Sequence, residues 1–199
     1  MLSKYILVAS LSIFLACNAN QSNNSNGQVE SKEAEKPDIN EEPTKFGLSE
    51  DVISKINNEM GLGNLLAWQN DADPGEKPSY FTTLEYEIKP PKESIVNSNN
   101  VIELSIGSKG ATGKYVEYLD LTVGFMNPED EKNAKKLFVQ KVNLLSKVFG
   151  IEIPTEIQEA VKREQNLKVG SGDYQFEVEV YGAARKWMTL HIKTKTKIE

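Results

Sequence analysis

The chain has 199 residues, 29 of them acidic and 23 basic, which gives a formal charge of −6 and a sequence pI near 5.1. Such a chain gains nothing from neutralising phosphates, the main source of non-specific nucleic-acid affinity, so the balance argues against a nucleic-acid partner. A single cysteine rules out an internal disulfide framework, and with a single histidine it leaves too few ligands for the usual zinc sets.

The opening residues MLSKYILVASLSIFLA place a basic side chain at Lys4, an apolar run from Tyr5 to Leu15 and the small Ala16 directly before Cys17. This is the layout of a cleaved export signal over residues 1–16, and the run is shorter than the roughly 20 apolar residues of a membrane-spanning helix. The tetrapeptide Phe14-Leu15-Ala16-Cys17 resembles the lipobox of bacterial lipoproteins. Ala16 and Cys17 match that pattern, while Phe14 replaces the usual Leu and Leu15 replaces a small or β-branched residue. The resemblance implies that Cys17 becomes the lipidated N-terminus, with acyl chains anchoring the protein to the bacterial cell envelope. Lipidation also accounts for a lone thiol in an exported chain. Asn18, rather than Asp, follows the cysteine. Under the same resemblance this implies an outer-membrane position facing the periplasm in a host with two membranes. The resemblance covers the signal alone.

Residues 17–45 form the expected tether. Asn, Ser and Gln give way to Glu, Lys and Pro, with too few apolar side chains to offset the entropy of ordering. A flexible coil of about 28 residues has a root-mean-square span of roughly 25–30 Å, enough to hold a domain just above its membrane.

Residues 46–199 suit one domain with one core. A helix is expected near Ser49–Met60, with Ser49 as N-cap, Leu48 stapled onto Ile53, an apolar face of Val52, Ile53, Ile56 and Met60, and Gly61 or Gly63 as the stop. Residues 64–79 read as loop, with a short strand as the alternative. Period-2 alternation then marks three strands, around Leu84-Tyr86-Ile88, Ile102-Leu104-Ile106 and Leu119-Leu121-Val123-Phe125. Asn127-Pro128-Glu129-Asp130 starts the main core helix, whose stripe runs from Ala134 through Phe138, Val142 and Leu145 to Phe149 before Gly150. Thr155 and Gln158 suggest a capping box for a shorter helix carrying Ile157, Ala160 and Val161. A closing hairpin pairs the Tyr174–Tyr181 strand with the Trp187–Lys193 strand. The order predicts an α+β fold, a largely antiparallel sheet of about five strands with helices packed on one face.

Motifs for chemistry are sparse. In Gly107–Tyr115 the glycine spacing is one residue too long for a P-loop and Tyr115 stands where Ser or Thr would hold magnesium, so a glycine-rich turn is the expected structure. Asp71–Glu76 lacks the EF-hand glycine and closing Glu, and reads as a polar turn. No catalytic set, metal site or cofactor motif is expected. The remaining feature is the sheet face away from the helices, where alternation places Tyr118, Tyr181 and Trp187 among Glu103, Asp120, Thr122, Glu177, Glu179, His191 and Lys193. Aromatic rings among polar neighbours offer large contact area with little side-chain entropy to lose. Tyr118, Tyr181, Trp187 and His191 are therefore the candidate ligand-binding residues of a non-enzymatic module for a protein, peptide or glycan. The alternatives are an envelope hydrolase using carboxylates at Asp71, Asp73 or Asp120, and a spacer lipoprotein without a specific ligand.

Overall fold

The structure, a computed structural model, describes residues 43–70, 80–108, 113–183 and 185–195. Cys17, the signal, the tether up to residue 42, Asp71, Asp73 and the centre of the Gly107–Tyr115 turn lie outside the described residues. In chain order the elements are α1 (Ser49–Glu59), β1 (Gln69–Asn70), β2 (Tyr80–Ile88), β3 (Asn100–Ser108), β4 (Tyr118–Phe125), a 3-10 turn (Pro128–Asp130), α2 (Glu131–Phe149), α3 (Thr155–Arg163), β5 (Leu167–Ser171), β6 (Tyr174–Tyr181) and β7 (Lys186–Thr194). All the strands join one antiparallel sheet in the order β1-β2-β3-β4-β7-β6-β5.

The α+β class is as the sequence implies, but the described residues form a sheet of seven strands rather than about five. The additions are its two edges. β1 is two residues long, and β5 alternates only over Leu167-Lys168-Val169 before Gly170 ends the pattern, so neither leaves a period that can be read in isolation.

The core lies between one sheet face and the helices. Leu84, Ile102, Leu104, Ile106, Leu119, Leu121, Val123, Met188, Leu190, Ile192, Phe176 and Val178 all point into it and are at most 4% exposed. Ala134, Phe138, Val142 and Leu145 form the buried stripe of α2, Ile157, Ala160 and Val161 that of α3, and Val52 and Ile56 that of α1. Burial of each large apolar side chain contributes about 1.5–3 kcal/mol. Ile151 and Ile153, between α2 and α3, add to the same core. Phe46 closes one end, with its ring 5.4 Å from Tyr174 and 6.3 Å from Phe149.

Two expected caps take other forms. Leu48 is the N-cap of α1, and the Ser49 hydroxyl, already helical, donates to the Gly113 carbonyl at 2.5 Å. Leu48 is 41% exposed and its backbone bridges to Tyr115. Pro154 caps α3 without a side-chain bond, while Gln158 donates back to the Ile153 carbonyl at 2.9 Å. The expected Asn127 cap forms, with its Oδ1 accepting from the Glu129 N–H at 3.0 Å. Gly61 (φ +59°) and Gly150 (φ +63°) supply the left-handed residues after α1 and α2.

An ionic joint ties the helices to β7. Lys186 contacts Glu131 at the start of α2 and Glu164 after α3 (2.7 Å), and Lys135 reaches Glu164 from α2 at 2.6 Å. Burial alone would raise the Glu164 pKa, but the hydrogen bonds and charges of Lys135 and Lys186 outweigh it and hold the carboxyl below its ordinary range.

Candidate functional site: the helix-free sheet face

Antiparallel pairing converts the sequence alternation into ranks that cross the open face. One rank runs Phe81, Gly107, Tyr118, Lys193 and Gln175; the next Thr83, Ser105, Asp120, His191, Glu177 and Lys168. A third runs Glu85, Glu103, Thr122, Thr189 and Glu179, and a fourth Glu87, Val101, Gly124, Trp187 and Tyr181.

These ranks place the four candidate residues on one face without gathering them. Tyr181 and Trp187 are direct cross-strand partners. Tyr118 is not beside them: it lies six positions along β4 from Gly124, the partner of Trp187, or about 20 Å at about 3.4 Å per residue. His191 falls between, two ranks from Trp187.

Two of the rings fill space left by glycines. A methyl group on Gly107 would stand 2.1 Å from Tyr118 Cζ, and one on Gly124 2.6 Å from Trp187 Cζ3. Each ring lies across the neighbouring strand where that strand has no side chain, a known reason for glycine inside a strand. Tyr118 and Trp187 are therefore half-buried, while Tyr181 is 47% exposed.

His191 is clamped between strands. Its Nδ1 lies 2.9 Å from Asp120 Oδ1 on β4 and its Nε2 3.5 Å from Glu179 Oε2 on β6. The hydrogen bond to Asp120 is the chief cause of a raised imidazole pKa; burial opposes it, the Asp120 charge and the Glu179 contact reinforce it, and Lys193 opposes it. Both carboxylates favour the protonated form of the ring, whose positive charge they stabilise. Ser105 does not complete a hydrolytic triad. Asp120 separates it from His191 in the rank, and its hydroxyl lies 3.0 Å from Glu103 Oε1 and 3.2 Å from Thr83 Oγ1. Among the described residues, no group of three or more His, Cys, Asp or Glu side chains could hold a metal ion, and no helix is long and apolar enough to cross a membrane.

A groove of about 400 Å³ lies beside β2, lined by Leu62, Gly63, Asn64, Leu66, Thr83, Leu84, Glu85 and Glu103. Its outer wall is fixed to the sheet: the Leu66 N–H donates to the Thr83 carbonyl at 3.1 Å, and the Thr82 hydroxyl to the Leu66 carbonyl at 2.6 Å. The Leu65 N–H is held by Asn57 Oδ1 at 2.9 Å. Sequence reasoning missed this groove. Glu85 and Glu103 are visible as wet strand positions, but their direct opposition depends on a register that alternation does not specify.

No protein-family model, curated protein or solved structure matches the chain.

Proposed function

We propose that this is a lipid-anchored protein of the bacterial cell envelope, held by acyl chains on Cys17, whose helix-free sheet face binds a protein, peptide or glycan without catalysing a reaction. The observation that carries the binding reading is the cross-strand pair Tyr181–Trp187 on a face that bears no helix among the described residues, with Tyr181 47% exposed. The clamped His191 supports the same reading over a hydrolytic one, because its two ring nitrogens are engaged by Asp120 and Glu179. Anchoring rests on the resemblance of Phe14–Cys17 to a lipobox.

The test is crosslinking in intact native cells followed by mass spectrometry of co-purifying molecules, comparing the natural chain with Tyr181→Ala/Trp187→Ala. A specific partner lost in the variant is the expected result; a partner indifferent to it removes the site. Anchoring is checked separately by detergent partition of Cys17→Ser, which should move the protein from the membrane to the aqueous fraction.

A further inference from the structure

We infer that the groove beside β2 is a docking site for an extended basic peptide segment of a protein partner, which adds to the free edge of β2 and sets Lys or Arg side chains against Glu85 and Glu103. This deepens the binding-module reading and rests on it.

The first observation is an unfavourable pairing. Glu85 and Glu103 stand directly opposite one another, an arrangement in which like charges destabilise a sheet. The described ion pairs bring no basic side chain to either of them. By contrast, Lys168 meets Glu177 at 2.7 Å and His191 meets Asp120 and Glu179 on the other half of the face. The uncompensated negative charge therefore gathers at β2 and β3, where Glu87 adds a further carboxylate.

The second observation is an open edge. β1 pairs with β2 only at Tyr80 and Phe81, and Leu66 takes the Thr83 carbonyl. Backbone groups of alternate residues point the same way in an antiparallel ladder, so the N–H and C=O of Glu85 and Glu87 also face outward, where no described strand pairs with them. Such an edge accepts an added strand, main chain giving affinity and alternate side chains giving specificity.

The third observation is the apolar wall beside the charges. Leu66 is 59% exposed and lines the groove with Leu62. Lys and Arg suit this combination because their aliphatic stems cover apolar surface while the charged head stays with carboxylate or water. Leucines for the stems, glutamates for the heads and a bare strand edge for the backbone together specify an extended basic segment.

The experiment titrates the isotopically labelled full chain with Ac-Lys-Leu-Lys-Leu-Lys-amide, following backbone amide shifts by NMR, with Ac-Glu-Leu-Glu-Leu-Glu-amide and spermine as comparison probes. The Lys peptide is expected to shift Leu62–Leu66, Thr83–Glu87 and Glu103, to bind at least about tenfold more tightly than either comparison, and to weaken with added salt. Glu85→Gln/Glu103→Gln should lose at least about tenfold in affinity while unfolding at the same or a higher temperature, since the variant relieves repulsion. Glu50→Gln/Asp51→Asn, on exposed α1, should bind as the natural chain does. Equal binding by the groove variant, equal loss in the α1 variant, shifts elsewhere or no binding at about millimolar peptide overturns the inference. Spermine binding as well as the peptide overturns the strand-addition element. Loss of the cellular partner in Tyr181→Ala/Trp187→Ala would still uphold the broader binding face, so the two readings fail separately.

Discussion

The Asn100 side chain brackets the Asn127 backbone with two hydrogen bonds. The Asn127 N–H donates to Asn100 Oδ1 at 2.7 Å, and Asn100 Nδ2 donates to the Asn127 carbonyl at 3.3 Å, with both residues fully buried. Asn127 Nδ2 also reaches Ser94 Oγ and the Val96 carbonyl, fastening the connection between β2 and β3 to the start of the main helix. Asn127→Ala keeps the backbone bonds to Asn100 but removes the cap on Glu129 and the side-chain bonds to Ser94 and Val96, and is expected to lower stability by about 2–3 kcal/mol. Urea unfolding measures it. A loss below about 0.5 kcal/mol would show that the Asn127 side chain does not fasten the connection between β2 and β3 to the helix start.

Gly124 and Trp187 make a packing prediction. Gly124→Ala should displace the indole from β4 and destabilise the fold by about 1–2 kcal/mol, the range for mild overpacking. The near-ultraviolet circular dichroism of Trp187, recorded with Trp68 replaced by Phe, should collapse in the variant. An unchanged spectrum would mean that the ring does not rest over Gly124.

The His191 clamp predicts a pH dependence with a definite sign. A histidine whose folded pKa is raised favours the folded state when protonated. Its contribution is full below about pH 6.5, the ordinary value, and is lost as pH rises through the higher folded-state value. Denaturant unfolding should show this loss above about pH 6.5, and His191→Gln should abolish it while leaving the acid-side response of the carboxylates. NMR titration of the ring gives the folded pKa directly, and a value at or below about 6.5 would contradict the clamp.

Glu164 separates backbone strain from ion pairing. Its φ of +55° is left-handed, which is unfavourable for a residue with a Cβ, yet its carboxylate joins Lys135 and Lys186. Glu164→Ala keeps the strain and loses both lysines, so it should destabilise by about 1 kcal/mol. Glu164→Gly relieves the strain and should be more stable than the Ala variant by about 1 kcal/mol. Thermal unfolding of the pair decides, and an Ala variant at least as stable as the Gly variant would rule out the strained geometry.

The parts of the fold that were legible in the chain are those where burial imprints a period. In β4, Leu119, Leu121 and Val123 alternate with Asp120 and Thr122 because one side of the strand is dry and the other wet. That parity also put Tyr118, Tyr181, Trp187 and His191 on a common face. It could not make them neighbours, since a two-residue period fixes the side of a strand but neither its register nor its partner. Pairing placed Tyr181 against Trp187 and left Tyr118 at the far end. Ser49 shows the same boundary, because its hydroxyl is used by Gly113, 64 positions away, and no local pattern announces such a contact.

The position of β7 has a consequence for how the molecule is made. This strand follows β4 and β6 in sequence yet lies between them in the sheet. Until it emerges, each meander keeps an inner edge without its neighbour, and neither can complete the core. Completion of the sheet therefore waits on β7. A product cut short before Lys186 would retain nearly every helix and strand and still be two half-sheets with exposed edges, ready for capture by a chaperone, for proteolysis or for aggregation.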